Sequence, residues 1–79
     1  MAPITAEQVT DVVVVRDLLR TGAAAEIRTA SRLTQAELAA VVGVHVSAVA
    51  RWEQGTRLPR PATCLRLAAA YTEILRVTP

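Results

Sequence analysis

Between Thr34 and Gly55 the chain reads TQAELAAVVGVHVSAVARWEQG, which leaves room for two short helices and one sharp bend. Thr34 is followed three residues later by Glu37, a reciprocal capping pair that starts a helix. Leu38, Ala39 and Val42 then recur at helical spacing. Gly43 predicts the stop, because glycine enters the left-handed C-cap conformation without steric cost. Val44 is an apolar plug beside the bend. A second helix is predicted from about Val46 to Gln54, with Val49 and Trp52 inward and Gly55 at its end.

The rest of the chain must pack on this pair with unusual materials. Of its 79 residues 52% are apolar, yet there is no Phe, one Trp and one Tyr, so the core has to be aliphatic. The length predicts one domain, and a chain this short buries only about 60% of its unfolded surface, which leaves a small margin of stability. The valine run Val12–Val15 falls far short of the ~20 residues a membrane span requires. No basic segment precedes an apolar one at the N-terminus, so no secretory signal is read. Cys64 is the single cysteine, which excludes an internal disulfide and a cysteine metal cluster, and a reducing cytoplasm is the simplest compartment. The net charge of +2 conceals an asymmetry. Residues 1–26 carry two arginines against four carboxylates, net −2, whereas residues 27–79 carry seven arginines against three, net +4. There is no lysine; arginine suits forked contacts to phosphate or guanine, although a high-GC genome produces the same bias.

Along the chain, Met1 to Ile4 reads as a loose end. Thr5 caps a first helix from about Ala6 to Arg20, with Glu7 and Gln8 in its first turn and Gly22 just beyond its end. Val9, Val12, Val13, Arg16, Leu19 and Arg20 give it a period near 3.6; four valines also suit a strand, but no second strand exists to pair with it. A helix from about Ala23 to Ser31 carries Ile27 inward. Thr56 to Arg60 is an arginine-rich loop, and Pro61 opens a last helix to about Arg76 whose apolar face is Cys64, Leu67, Ala68, Tyr71 and Leu75. The architecture predicted is therefore all-α, five helices in one unit spanning 1–79. Two helices separated by three or four residues with glycine at the bend form a helix-turn-helix, here about 34–54, whose second helix normally enters the DNA major groove.

Leu33-Thr34-Gln35-Ala36-Glu37-Leu38-Ala39, Gly43-Val44, Val49-Ala50-Arg51-Trp52-Glu53-Gln54-Gly55 and Pro59 resemble the lambda Cro/repressor (XRE) helix-turn-helix family. The resemblance runs from Ile27-Arg28 to about Leu75, roughly the last two-thirds of the chain. It implies a lambda repressor-like core over 22–76, preceded by an extra N-terminal helix over 1–21. The lead-in Leu19-Arg20-x-Gly22 to Ile27-Arg28 and the Trp52-Glu53-x-Gly55 signature look most like small phage or prophage regulators of high-GC hosts.

The resemblance implies roles residue by residue. Gln35 matches a phosphate-binding position at a helix start, where free amide hydrogens attract anions; the plainer alternative is an exposed polar residue. Val46, Ser47 and Arg51 match base-facing positions. Arg51 suits guanine O6 and N7 or a phosphate, Ser47 suits either a base or a phosphate, and Val46 and Ala50 suit a thymine methyl or simply allow close approach. His45 stands at the N-cap where the family usually has Ser or Thr; it caps less well than a short hydroxyl, but its ring can reach a phosphate. Arg57 and Arg60, with Arg32 more weakly, are candidate phosphate partners. Arg28 and Glu53 match a largely buried structural ion pair. Trp52 is read as core and Cys64 as a small buried hydrophobe.

The function implied is sequence-specific binding of a double-stranded DNA operator by a transcriptional regulator, acting by occupancy, most similar to a phage Cro or repressor. A homodimer on a near-palindromic site is expected, with the first helix and Ile74, Leu75 and Val77 as candidate surfaces. An antitoxin-like protein-interaction module on the same fold is the alternative, its acidic first helix serving as the partner-binding segment; such arms are usually longer and polar. Enzyme chemistry is not expected: there is no phosphate loop, paired acid and base, or metal-ligand spacing. No cofactor, metal, membrane or small-molecule ligand is implied.

Overall fold

The computed structural model describes residues 4–79, which form five α-helices and no strand: α1 Ala6–Thr21, α2 Ala23–Ala30, α3 Gln35–Val42, α4 Val46–Gln54 and α5 Pro61–Val77. Met1 to Pro3, part of the expected loose end, lie outside the described residues; Ile4 packs against the core. Thr5 starts α1 through a full capping box: its Oγ1 accepts the Gln8 N–H at 3.3 Å, and Gln8 Oε1 accepts the Thr5 N–H at 2.9 Å. The valine run is helical, because a single apolar run has no ladder partner. Gly22 serves both as C-cap of α1 and N-cap of α2, so no linker separates them. Pro61 occupies the first turn of α5, where its missing N–H leaves no bond unmade. The ends of α1, α2 and α5 each differ by one residue from the sequence expectation, which is ordinary fraying of a last turn.

The core is one cluster drawn from every helix: Val12, Val15 and Leu19 of α1, Ala24 of α2, Leu38, Ala39 and Val42 of α3, Val49 and Trp52 of α4, and Cys64, Leu67 and Tyr71 of α5. α1 lies chiefly against α5, and α3 against α4. The radius of gyration, 11.8 Å, matches the roughly 12 Å of a packed chain this long, so α1 lies on the body rather than projecting from it. Among the described residues, no helix is long and apolar enough to cross a membrane.

Two expected faces need correction. Val9 and Val13 are 46% and 59% exposed, while Val15, outside the expected pattern, is buried. In α5 Leu75 is 57% exposed, and the partly buried Ile74 continues the core in its place. The cause is the same in both helices. Where long helices meet, each contributes a narrow row at i, i+3 and i+7, residues 12, 15 and 19 against 64, 67 and 71. The neighbouring rows turn outward.

Cys64 is fully buried, and its Sγ donates to the Pro59 carbonyl at 3.6 Å. Burial pushes the thiol above its ordinary value, partly opposed by the nearby Arg16 guanidinium. It packs as a small apolar residue. Tyr71 is pushed up to about 12, mainly by burial.

Candidate nucleic-acid interface

The α3–α4 unit is closed by caps at each boundary. Thr34 Oγ1 accepts the Glu37 N–H at 3.0 Å, and Glu37 Oε1 accepts the Thr34 N–H at 2.9 Å. These bonds, the backbone one first, hold the Glu37 carboxyl below its ordinary value. At the bend Gly43 has φ +75, and Val44 donates back to Ala39 O at 3.0 Å. A Cβ on Gly43 would meet nothing within 4 Å. Glycine therefore supplies the left-handed backbone there, not space. Val44, partly buried, packs against the core, and Arg66 Nε of α5 donates to Val42 O at 2.9 Å, fastening the end of α3.

His45 is itself the cap of α4: its Nδ1 accepts the Ser47 N–H at 3.1 Å and lies 2.9 Å from Ser47 Oγ. At the far end Gly55 stops the helix, and Thr56 closes the turn by donating both its N–H and its hydroxyl to Arg51 O, at 3.0 and 3.2 Å. With caps at both ends, α4 has the bounds expected of it.

Below this pair lies a charged clamp. Arg28 of α2 donates from Nε and Nη2 to the two oxygens of Glu53, each at 2.8 Å, and from Nη1 to Leu33 O at 2.9 Å. Gln35 Nε2 donates to Glu53 Oε1 at 2.9 Å. The arginine and glutamate side chains are only 13% and 6% exposed. Burial alone would push the Glu53 carboxyl up; the bonds from Arg28 and Gln35 and the charge of Arg28 reverse this and hold it below its ordinary value. The bonds to Glu53, and the carboxylate charge with them, raise Arg28 against the opposing effect of burial. One network thus joins α2, the turn before α3, the start of α3 and the end of α4.

Gln35 is therefore placed differently from a freely reaching side chain. Its amide faces Glu53, and what the start of α3 leaves without a partner among the described residues is the N–H of Gln35 and Ala36. Arg32 precedes this start at φ +62, the single non-glycine in the left-handed region among the described residues.

The nine arginines sort cleanly. Arg20 and Arg76 pair along their own helices with Asp17 and Glu73, at 2.6 and 2.7 Å. Arg16, Arg28 and Arg66 hold the fold; Arg16 Nη2 donates to Pro59 O at 2.9 Å, tying α1 to the loop before α5. Arg32, Arg51, Arg57 and Arg60 are exposed and have no side-chain partner among the described residues. Three of these four, Arg51, Arg57 and Arg60, line a single hollow of about 300 Å³ with Val44, Ala48 and Trp52. Arg32 stands apart from it, at the turn between α2 and α3. Of the other candidates, His45 is exposed, Val46 is 37% exposed, and Ser47 and Ala50 are partly exposed along α4.

Sequence reasoning passed over Arg16 and Arg66 as positioning residues. For Arg16 a signal existed, a cation inside the apolar repeat of α1. Arg66 had none, because its partner is a backbone carbonyl 24 residues away.

A helix-turn-helix family profile matches residues 25–72, more than half of the chain, beginning in α2 and ending in α5. No curated protein and no solved structure matches. With capped α3 and α4 at the centre of that span, the chain belongs to the Cro/repressor-like, XRE-type helix-turn-helix family of DNA-binding transcription regulators.

Proposed function

We propose that this regulator reads a specific double-stranded operator and acts by occupying it, in the manner of a phage or prophage Cro or repressor in a bacterial cytoplasm. The observation that carries the reading is the partition of the arginines. Five are committed to carboxylates or backbone carbonyls, and the remaining four are exposed around α3 and α4. Cations without protein partners are the groups that replace counterions on a phosphate backbone.

In this reading α4 lies in the major groove. Val46, Ser47, Ala50 and Arg51 face base edges, and Arg51 suits the O6 and N7 of guanine. Arg57 and Arg60 hold phosphates on one side. Arg32, the amide hydrogens at Gln35 and the His45 ring hold them on the other. Arg28 and Glu53 keep a structural role. The protein works as a homodimer on two half-sites. Its extents of 33 × 26 × 22 Å let two copies sit about 34 Å apart on one face of the duplex without overlap. Val9, Val13 and Val14 of α1 and Leu75 and Val77 of α5 are the exposed apolar residues offered for the contact, with Ile74 partly buried beside them. The antitoxin-like alternative gains no support, because α1 is packed on α5 instead of standing free.

The test is binding to DNA flanking the gene at two salt concentrations, with wild type and Arg51→Ala. Salt-sensitive binding to one segment, lost with Arg51→Ala, is expected. Equal binding to every segment leaves only a basic surface, and no binding at low salt overturns the reading.

A further inference from the structure

His45 and Ser47 form a local unit whose hydrogen-bond polarity can be worked out. A backbone N–H can only donate. Because the Ser47 N–H points to His45 Nδ1 at 3.1 Å, that nitrogen carries a lone pair, and the neutral ring holds its proton on Nε2. The same Nδ1 lies 2.9 Å from Ser47 Oγ. Two lone pairs facing each other at that distance repel, so the hydroxyl hydrogen is turned to Nδ1, whose one lone pair is shared between it and the Ser47 N–H. A serine hydroxyl has one hydrogen. What Ser47 offers outward is therefore acceptor lone pairs alone, while His45 offers an N–H donor at Nε2.

We infer that His45 sets Ser47 as an acceptor, so that Ser47 selects the exocyclic amine of a base pair, adenine N6 or cytosine N4, over a carbonyl at the groove position it faces. This rests on the proposed reading of α4 as the groove helix. A free serine hydroxyl rotates to suit either partner and discriminates poorly. The cap removes that freedom. His45 thereby acts on sequence choice as a positioning residue, and its Nε2–H is left to donate to a neighbouring acceptor such as a phosphate oxygen.

The test selects duplexes from a randomised pool with wild type, Ser47→Ala and His45→Gly. It then compares each protein on the selected duplex and on one with the Ser47-dependent pair reversed, which exchanges amine and carbonyl across the groove. Wild type is expected to lose about tenfold in affinity on reversal. Ser47→Ala is expected to bind both duplexes alike. His45→Gly should also bind both within about twofold, because the released hydroxyl can donate or accept. Glycine is a tolerated N-cap, and His45→Ser, with the most favoured type of cap, is run beside it so that a folding defect in one variant cannot decide the result. Enrichment of a sequence whose Ser47-dependent pair is still discriminated by both His45 variants overturns the inference alone, as does a selected profile that Ser47→Ala leaves unchanged. Enrichment of no sequence by the wild type overturns it together with the reading it rests on.

Discussion

The two turns that bracket α3 share a left-handed residue and a back bond from the residue after it, but build them from different residue types. Before it, Arg32 sits at φ +62 and Leu33 donates back to Arg28 O at 3.2 Å; after it, Gly43 sits at φ +75 and Val44 donates back to Ala39 O at 3.0 Å. Glycine takes the left-handed region freely, whereas an arginine there costs roughly 1–2 kcal/mol. The first turn tolerates this because Arg28 clamps it from below through Leu33 O and Glu53. The second has no buried ion pair beneath it, only Val44 against the core and Arg66 on the last carbonyl of α3. One turn is relaxed by its residue type, and the other is strained and held by a network that leaves a cation at the edge of the candidate interface.

Removing the clamp should disturb the first turn most and leave the second untouched. Arg28→Ala leaves Glu53 buried without its ion partner and frees the first turn. A loss of about 3–5 kcal/mol is expected in urea unfolding. If the loss is under 1 kcal/mol, the first turn does not depend on the clamp. Gly43→Ala is expected to cost about 1–2 kcal/mol, all from the backbone because the space around it is open. Arg32→Gly should have the opposite sign, a gain of about 1 kcal/mol from relieved strain. It should also weaken DNA binding and lower the salt slope by about 1 if Arg32 meets a phosphate. Gain in stability without loss of binding would separate the strain from the function.

The smallest effect is expected with acid. The folded-state Glu53 carboxyl lies below its ordinary 4.5, so its contribution is fully present above that value and fades as pH falls through the lower folded one. Stability should hold from neutral pH to about 5 and then decline. Glu53→Gln should start less stable and decline less over the same range, as read by thermal melts.

These residues also mark how far the sequence could be read. The end of α4 was legible because Gly55 signals it within the segment itself, and its start followed from the bend at Gly43 and Val44; His45 is a poor cap signal in the sequence. The buried row of α1 was not, because four consecutive valines present apolar surface on every side and only α5 decides which side is covered. The pairing of Arg28 with Glu53 is visible in the sequence only through family resemblance, since 25 residues separate them. Nothing local announces that Gln35 turns to Glu53 or that His45 holds the Ser47 hydroxyl. The first depends on α3 and α4 being assembled, and the second on the ring direction that the capping turn of α4 gives His45.

The bond from Arg16 to the Pro59 carbonyl spans 43 residues, and one end lies outside the segment that matches the family. Residues 25–72 are thus not a portable cassette. Grafted elsewhere, they would carry α3 and α4 but lose the strap that fixes the loop bearing Arg57 and Arg60, along with the aliphatic side of the core that α1 provides. Variation in α1 could retune how tightly this protein grips its target without altering a residue that touches it.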